Sequence, residues 1–252
     1  MFNVYGYVFT DCLGRGTYGE VFKAINQVNF SQIQSMSIEK SKHLCGQANI
    51  KEVSMQKGSG QSCGRNWYLE KVTSSKYSFN DGLHCKLLNF SALATLQWDS
   101  EYVYIFMEYV GGGDLSSFLK TEKHLSEKTI RYFLQQLAFA LHYLYERNIV
   151  HMDVKPQNIL LTTSTPPILK LADFGFAKSM EETVKMNEVR GSLLYLAPEI
   201  YKYGVYDKSC DLWSVGIILY QCLFGKTPFH CNSKEGVKAK LLEDTPLSQF
   251  NH

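Results

Sequence analysis

The spacing of apolar residues divides the sequence into three zones. Residues 1–25 alternate between apolar and polar positions and contain glycines, which predicts a strand–turn–strand hairpin. Residues 26–90 are polar and weakly periodic, and the stretch GSGQSCG predicts a flexible loop. Residues 91–230 carry the clearest pattern. There, YVYIFMEYV is a dense run of aromatic and β-branched residues and predicts a buried strand.

Two longer helices are predicted in the last zone. Ser126 is a suitable N-cap for EKTIRYFLQQLAFALHYLYERN, and a second apolar helix runs from about Trp213 to Leu223 and stops at Gly225. Apolar residues recur at helical spacing in the first of them: Ile130, Phe133, Leu134, Leu137, Leu141 and Leu144. A short helix in GGGDLSSFLK and short strands in NIV, NILL and LKLA complete the prediction.

Composition narrows the function classes. A chain of 252 residues can bury a core as one large domain or two joined lobes. A net charge of +2 gives no reason to expect nucleic acid or an anionic membrane as partner. The longest apolar run, LWSVGIILYQCLF, is too short for a transmembrane segment, and the first residues lack the features of a signal peptide. Seven scattered cysteines without a C-x-x-C pair indicate reduced thiols and a cytoplasmic location.

The stretch LGRGTYGEV contains glycines at positions 14, 16 and 19. Glycines let backbone N–H groups approach phosphate oxygens closely, and Val21 with Leu13 could cover a flat base. An ordinary hairpin turn is the alternative, because glycines also mark turns. The position between two strands disfavours a dinucleotide fingerprint, which must open a helix.

Two further stretches carry candidate chemistry. Asp153, Lys155 and Asn158 in HMDVKPQNILL offer a carboxylate for an attacking hydroxyl, a cation for a γ-phosphate and an oxygen ligand for Mg²⁺. Asp173 in LADFGFA follows a short strand and precedes Gly175, although Asp and Gly are also common in ordinary surface turns.

Together with GSLLYLAPEI and DLWSVGIILY, these motifs resemble eukaryotic Ser/Thr protein kinases, and the wording is most similar to the autophagy-initiating branch. The resemblance implies an α+β, bilobal kinase fold with a β-rich N-lobe and a mainly helical C-lobe. The expected domain covers residues 8–252, with the N-lobe at about 1–110, an atypical polar insertion at 26–90 and the C-lobe at about 111–252. The C-lobe is expected to be C-terminally incomplete, because no arginine follows that could pair with Glu199.

The resemblance also assigns roles. It makes Asp153 the catalytic base, Lys155 the γ-phosphate contact, and Asn158 and Asp173 the Mg²⁺ ligands. It implies that His151 stacks on Phe174. The ATP site implied by the resemblance comprises Leu13, Gly14, Arg15, Gly16, Thr17, Tyr18, Gly19, Glu20, Val21, Lys51, Glu70, Met107, Glu108, Val110, Asp114 and Leu160. Within this set, Met107 is the expected gatekeeper, Asp114 the ribose contact and Leu160 the floor beneath the base.

The stretch GQANIKEVSMQ contains Lys51, the candidate nucleotide lysine. The family pattern V-A-I-K places a lysine on the α/β-phosphates and pairs it with a glutamate, here Glu70. Lys57 is a rival, and ordinary loop charges are the alternative for both members of the pair. Asn49 shares the face of Lys51 by strand alternation, where the family usually has alanine.

Regulation departs from the common pattern. Met152 replaces the arginine that usually precedes the catalytic aspartate and binds a phosphorylated activation loop. The resemblance is therefore to kinases that do not depend on that clamp. Thr183 and Ser192 lie where activating phosphates often occur, although exposed loop hydroxyls are more often unmodified.

The sequence thus predicts an ATP- and Mg²⁺-dependent Ser/Thr protein kinase that acts on protein substrates, with regulatory protein partners and a role in autophagy-related signalling. Two alternatives stay open at this point. One is a catalytically impaired, pseudokinase-like binding module, and the other is a non-functional truncated product.

Overall fold

The fold is taken from a computed structural model of the chain. The structure describes residues 3–4, 7–16, 19–26, 35–42, 93–98, 102–122, 125–180, 183–186, 189–229, 231 and 233–242. The chain divides into two compact units, the first comprising residues 1–76 and 91–111 and the second comprising residues 77–90 and 112–252. Each unit is described separately.

The first unit is built on a six-stranded antiparallel sheet with the order β1-β2-β3-β4-β6-β5. Its strands are β1 (Asn3–Val4), β2 (Tyr7–Gly16), β3 (Gly19–Asn26), β4 (Ser35–Lys42), β5 (Leu93–Trp98) and β6 (Tyr102–Glu108). The predicted N-terminal hairpin is confirmed as β2–β3, and the predicted buried strand as β6. The glycines of the LGRGTYGEV motif therefore lie in strands of this sheet.

Strand β4 lies inside the segment that the sequence analysis interpreted as a polar insertion. Its sequence, SMSIEKSK, alternates weakly, yet it pairs with β3 on one side and β6 on the other. Backbone hydrogen bonds to two neighbours can hold a strand whose own β-propensity is modest. Part of residues 26–90 is therefore integral to the sheet.

One face of the sheet carries an aromatic cluster. Phe9, Ala24, Tyr104 and Phe106 are buried, and Tyr7 and Phe22 pack against them. The rings of Tyr7 and Phe106 have centroids 4.6 Å apart. Aromatic side chains from β2, β3 and β6 thus hold together strands that are distant in sequence.

The second unit is mainly helical. Its helices are α1 (Leu115–Glu122), α2 (Glu127–Tyr145), α3 (Pro198–Tyr203), α4 (Ser209–Phe224) and α5 (Lys234–Leu242). Its short strands are β7 (Ile149–Val150), β8 (Ile159–Leu161), β9 (Leu169–Leu171), β10 (Lys178–Ser179), β11 (Val184–Lys185) and β12 (Val205–Tyr206), paired β7–β10, β8–β9 and β11–β12. The predicted strands in NIV, NILL and LKLA are confirmed as β7, β8 and β9.

Helix α2 follows its sequence signals closely. The Ser126 Oγ accepts a hydrogen bond from the backbone N–H of Thr129, so the predicted N-cap is confirmed. All of the predicted apolar stripe is buried except Leu134, which is half-buried. Each buried Leu or Phe contributes about 1.5–3 kcal/mol, so this stripe fixes the helix against its neighbours.

Helix α4 ends at Gly225, whose φ of +70° is the left-handed conformation expected at such a C-cap, as predicted. Asp211 in its first turn is buried and faces the loop after β7. Within the described ranges, no helix is long and apolar enough to cross a bilayer.

Candidate active site

The loop after β7 gathers hydrogen bonds around one carboxylate, that of Asp153, which is 4% exposed. Its Oδ2 accepts from Lys155 Nζ at 2.7 Å and from Asn158 Nδ2 at 3.0 Å. Its Oδ1 accepts from Ser192 Oγ at 2.7 Å. Three donors therefore fix the direction of the carboxylate, and the lysine balances its charge. A buried, oriented carboxylate is what a general base needs.

Local backbone structure places these side chains. Pro156 begins a single 3₁₀ turn, Pro156–Asn158, where the missing proline N–H leaves no unpaired donor. The Asn158 backbone N–H donates to Lys155 O at 2.9 Å, and its side chain donates to Asp153 O at 2.9 Å. The turn thus brings the predicted base, cation and amide together within six residues.

Ser192 is a site residue that the sequence analysis assigned only as a phosphorylation candidate. Besides donating to Asp153, its hydroxyl accepts a hydrogen bond from Lys155 Nζ at 2.8 Å. It comes from a segment 39 residues further along the chain than Asp153. No local sequence signal indicates this contact, because the return of that segment to the loop is a property of the tertiary fold.

Asp211 of α4 binds the backbone of the same loop. Its Oδ2 and Oδ1 accept from the backbone N–H groups of His151 at 2.8 Å and Met152 at 2.9 Å. Burial raises the pKa of the Asp211 carboxyl, while the nearby His151 ring and the two N–H donors act in the opposite direction. These two bonds hold the backbone immediately before Asp153.

The loop backbone is also unusual. Met152 has φ of +65°, a left-handed conformation that is rare for a non-glycine residue. The His151 ring lies edge-on to Phe174 with centroids 4.8 Å apart, and His151 Nε2 is 3.1 Å from Ala172 O. The expected contact between His151 and Phe174 is present, but the rings meet edge to face and are not stacked. The contact links the loop to the Asp173 turn.

Asp173 precedes the 3₁₀ turn Phe174–Phe176 and has φ of +61°. Its side chain is exposed, and Oδ1 accepts from Gly175 N at 3.2 Å. Among the described residues, no group of three or more His, Cys, Asp or Glu side chains is placed to hold a metal ion. A carboxylate and an amide oxygen nevertheless suit Mg²⁺, which typically takes one or two protein ligands together with substrate phosphates. The side-chain oxygens of Asp173 and Asn158 thus suit Mg²⁺ chemically, and their role as its ligands stays a prediction.

The glycine motif forms the end of the β2–β3 hairpin. Gly14 pairs with Val21, Arg15 with Glu20, and Gly16 with Gly19. Arg15 Nε and Glu20 Oε1 are 2.9 Å apart, but both side chains are substantially exposed, so this ion pair contributes little. Leu13 is exposed and Val21 half-buried. The predicted strand–turn–strand context is confirmed, while Thr17 and Tyr18 lie outside the described residues.

Strand β6 ends with Met107 and Glu108, which are half-buried, as is Val110 beyond it. By register, Met107 pairs with Ser37 of β4 on one side and with Leu93 of β5 on the other. These three predicted nucleotide residues are thus neighbours at one end of the sheet.

Asp114 and Leu160 belong to the second unit and pair with each other in an isolated β-bridge. Asp114 Oδ1 accepts from Ser117 N at 2.8 Å, and Oδ2 accepts from Ser117 Oγ at 3.0 Å. The carboxylate therefore caps helix α1. The sequence analysis missed this structural role, and the predicted ribose contact of Asp114 stays a prediction.

The predicted pair Lys51 and Glu70 lies outside the described residues, so the assignment stays a prediction. The strand between β3 and β6 is β4. In its register, Glu39 is opposite Val21 on β3 and Ile105 on β6, and Lys40 is opposite Glu20 and Tyr104.

Comparison with known proteins agrees with the site geometry. A family model described as "Protein kinase domain" matches residues 7–250. The human Serine/threonine-protein kinase ULK3 is 38% identical over 246 residues, which cover 96% of this chain and 47% of that protein.

Two further relatives match this chain over a smaller share of their own length. Human Serine/threonine-protein kinase ULK1 is 43% identical over 157 residues, 60% of this chain and 15% of the relative. Serine/threonine-protein kinase ATG1c of Arabidopsis thaliana is 44% identical over 146 residues, 58% of this chain and 20% of the relative. The chain spans about half the length of the ULK3 proteins it matches.

Proposed function

The chain belongs to the protein kinase domain family, and from this premise we propose that it transfers the γ-phosphoryl group of ATP to Ser or Thr hydroxyls of protein substrates. The observation that carries the proposal is the group of donors around Asp153: an ammonium, an amide and a hydroxyl on one buried carboxylate. Burying a carboxylate is unfavourable unless it is paired. A carboxylate that is buried and held by three donors is therefore better explained by a catalytic role than by packing.

Each side chain has a distinct part in the reaction. Asp153 orients the substrate hydroxyl and takes its proton as the oxygen–phosphorus bond forms and the bond from the γ-phosphorus to ADP breaks. Lys155, whose side chain is 22% exposed, would contact the γ-phosphate. Asn158 and Asp173 would hold Mg²⁺, which neutralises phosphate charge when bound. Ser192 keeps Asp153 and Lys155 aligned.

The similarity to ULK and ATG1 kinases supports a role in autophagy-related signalling, protein substrates and regulatory protein partners. A cytoplasmic location is supported by the thiols, because the buried Cys210 and Cys222 of α4 are free cysteines.

A second candidate function is a nucleotide-binding module without phosphotransfer. One observation favours it: β4, the strand between the glycine hairpin and β6, has Glu39 rather than a lysine in register with Val21. Nucleotide-dependent thermal stabilisation without transfer would support this alternative.

The test of the main proposal is transfer of labelled phosphate from Mg-ATP to a generic Ser/Thr protein substrate. Asp153→Asn should lower kcat by about 10²–10⁴-fold, the usual effect of losing a positioned base, with the KM for ATP little changed. Glu127→Gln is the matched control, because Glu127 is exposed and pairs with Arg131 on the same helix, α2. An Asp153→Asn protein as active as the control would refute the assignment.

A further inference from the structure

The segment that brings Ser192 to Asp153 is attached to the second unit at several points. At its start, β10 pairs with β7, with Lys178 opposite Val150, and Met180 N donates to Asn148 O at 2.7 Å. These bonds are between backbone groups. They fix where the segment leaves the Asp173 turn.

The middle of the segment forms a second strand pair. Strand β11 pairs with β12, with Val184 opposite Tyr206, and Met186 N donates to Gly204 O at 2.9 Å. Gly204 has φ of +65°, and a Cβ there would lie 2.7 Å from Met186 O. The close backbone approach therefore depends on this glycine.

Tyr206 holds the last part of the segment. Its side chain is fully buried, and its hydroxyl accepts from Arg190 N at 2.6 Å and donates to Arg190 O at 3.1 Å. Burial raises the pKa of this phenol, so it remains a neutral donor at physiological pH. One side chain thus satisfies both backbone polar groups of the residue that lies two positions before Ser192.

Met152 supports the same region from the catalytic loop. It is 5% exposed and belongs to an apolar cluster that also contains Val150, Met180, Leu196, Ala197, Ile200, Tyr206 and Cys210. Its carbonyl oxygen is so close to Gly191 that a Cβ at Gly191 would lie 2.6 Å away. The residue before Asp153 therefore shares an apolar cluster with residues from both ends of the segment and lies close to Gly191, next to Ser192.

We propose that Tyr206 and Met152 are positioning residues that hold this segment by uncharged contacts, so that Ser192 meets Asp153 without a phosphorylated residue in the segment. Every contact described in the four preceding paragraphs is a backbone hydrogen bond, a phenol hydrogen bond or apolar packing. None of them needs a phosphate. The catalytic consequence rests on the proposed kinase function, whereas the attachment itself does not.

The first experiment measures hydrogen exchange in the peptide covering residues 189–196, in phosphatase-treated protein without substrate. Tyr206→Phe removes only the hydroxyl, and we expect exchange in this peptide to accelerate by about tenfold or more, while helix α2 is unchanged. Tyr203→Phe is the matched control, because Tyr203 is exposed on the neighbouring helix α3. Equal exchange in Tyr206→Phe and Tyr203→Phe would overturn the proposal.

The second experiment measures phosphotransfer with the same proteins. Tyr206→Phe should lower kcat by about tenfold with the KM for ATP unchanged, because only the alignment of Ser192 and Asp153 is lost. Thr183→Ala and phosphatase treatment should leave the wild-type rate unchanged. A rate that collapses on phosphatase treatment would overturn the proposal, since the uncharged contacts would then be insufficient.

A further variant covers the case in which Tyr206→Phe destabilises the whole chain. Tyr201 OH donates to Leu193 O at 2.5 Å, on the other side of Ser192. Tyr201→Phe should therefore also accelerate exchange in residues 189–196, and unchanged exchange would count against the proposal. Faster exchange in a protein that never transfers phosphate would refute the kinase function while supporting the attachment.

Discussion

Replacing Asp211 by Asn tests how the catalytic loop is held. The carboxylate accepts two backbone N–H groups through two different oxygens. An amide has a single oxygen, so one N–H keeps a weaker partner and the other faces an NH₂ group. Asp207→Asn is the matched control on the same stretch of chain, because Asp207 accepts from Ser209 N at 2.7 Å in an exposed turn.

The magnitude follows from these contacts. Losing one hydrogen bond to a charged acceptor removes about 1.5–3 kcal/mol, and a buried N–H without a partner costs about 1–3 kcal/mol more. Burial raises the pKa of Asp211, so removing the charge recovers part of the desolvation penalty. We expect a net loss of about 2–4 kcal/mol in the free energy of unfolding, against about 0.5–1.5 kcal/mol for the control.

The assay is urea denaturation followed by circular dichroism at the helical minimum, since α2 and α4 dominate that signal. Phosphotransfer by Asp211→Asn should fall as well, because the backbone before Asp153 is no longer fixed. If Asp211→Asn lost no more stability than Asp207→Asn, the two short hydrogen bonds would not be holding the loop, and the reasoning would be wrong.

Three other predictions concern the site and the thiols. Ser192→Ala should lower kcat by about tenfold, equivalent to about 1.4 kcal/mol, with the KM for ATP unchanged; steady-state kinetics checks this. Lys51→Met should weaken ATP binding in calorimetry if Lys51 contacts the phosphates, and Lys40→Met, tested in parallel, should be the damaging change if β4 supplies the lysine. Burial raises the pKa of the Cys222 thiol to about 11, so at pH 8 it should resist alkylation that modifies the exposed Cys12, as read by peptide mass spectrometry.

Each of these three predictions has an outcome that would contradict it. A rise in the KM for ATP in Ser192→Ala would place that hydroxyl on the nucleotide instead of the base. Equal calorimetric affinity in wild type and both lysine variants would remove both lysines from the phosphate site. Equal alkylation rates at the two thiols would contradict the burial of helix α4.

The sequence predicted those elements whose patterns are local. Helix α2 has an N-cap and an apolar stripe within one segment, and the structure confirms both. Its one deviation, the half-buried Leu134, lies at the edge of that stripe.

Features that depend on distant segments were not predicted. Strand β4 forms because β3 and β6 offer backbone partners on both sides, and its own residues give no strong strand pattern. Ser192 reaches Asp153 through the attachment of a long segment, and Asp114 caps helix α1, a role that the sequence analysis did not predict. Such contacts need the tertiary arrangement, which short-range spacing does not contain.

The left-handed backbone at Met152 and Asp173 has a consequence for protein engineering. Each such residue stores about 1–3 kcal/mol of conformational strain. Substitution by glycine would relieve that strain, but at Met152 it would also remove a buried side chain from its apolar cluster, a loss of about 2–5 kcal/mol that outweighs the gain. At both positions glycine would also free the dihedrals that direct the side chains of Asp153 and the Asp173 turn. A stabilisation library should therefore exclude these two positions, although left-handed residues are the usual targets for replacement by glycine.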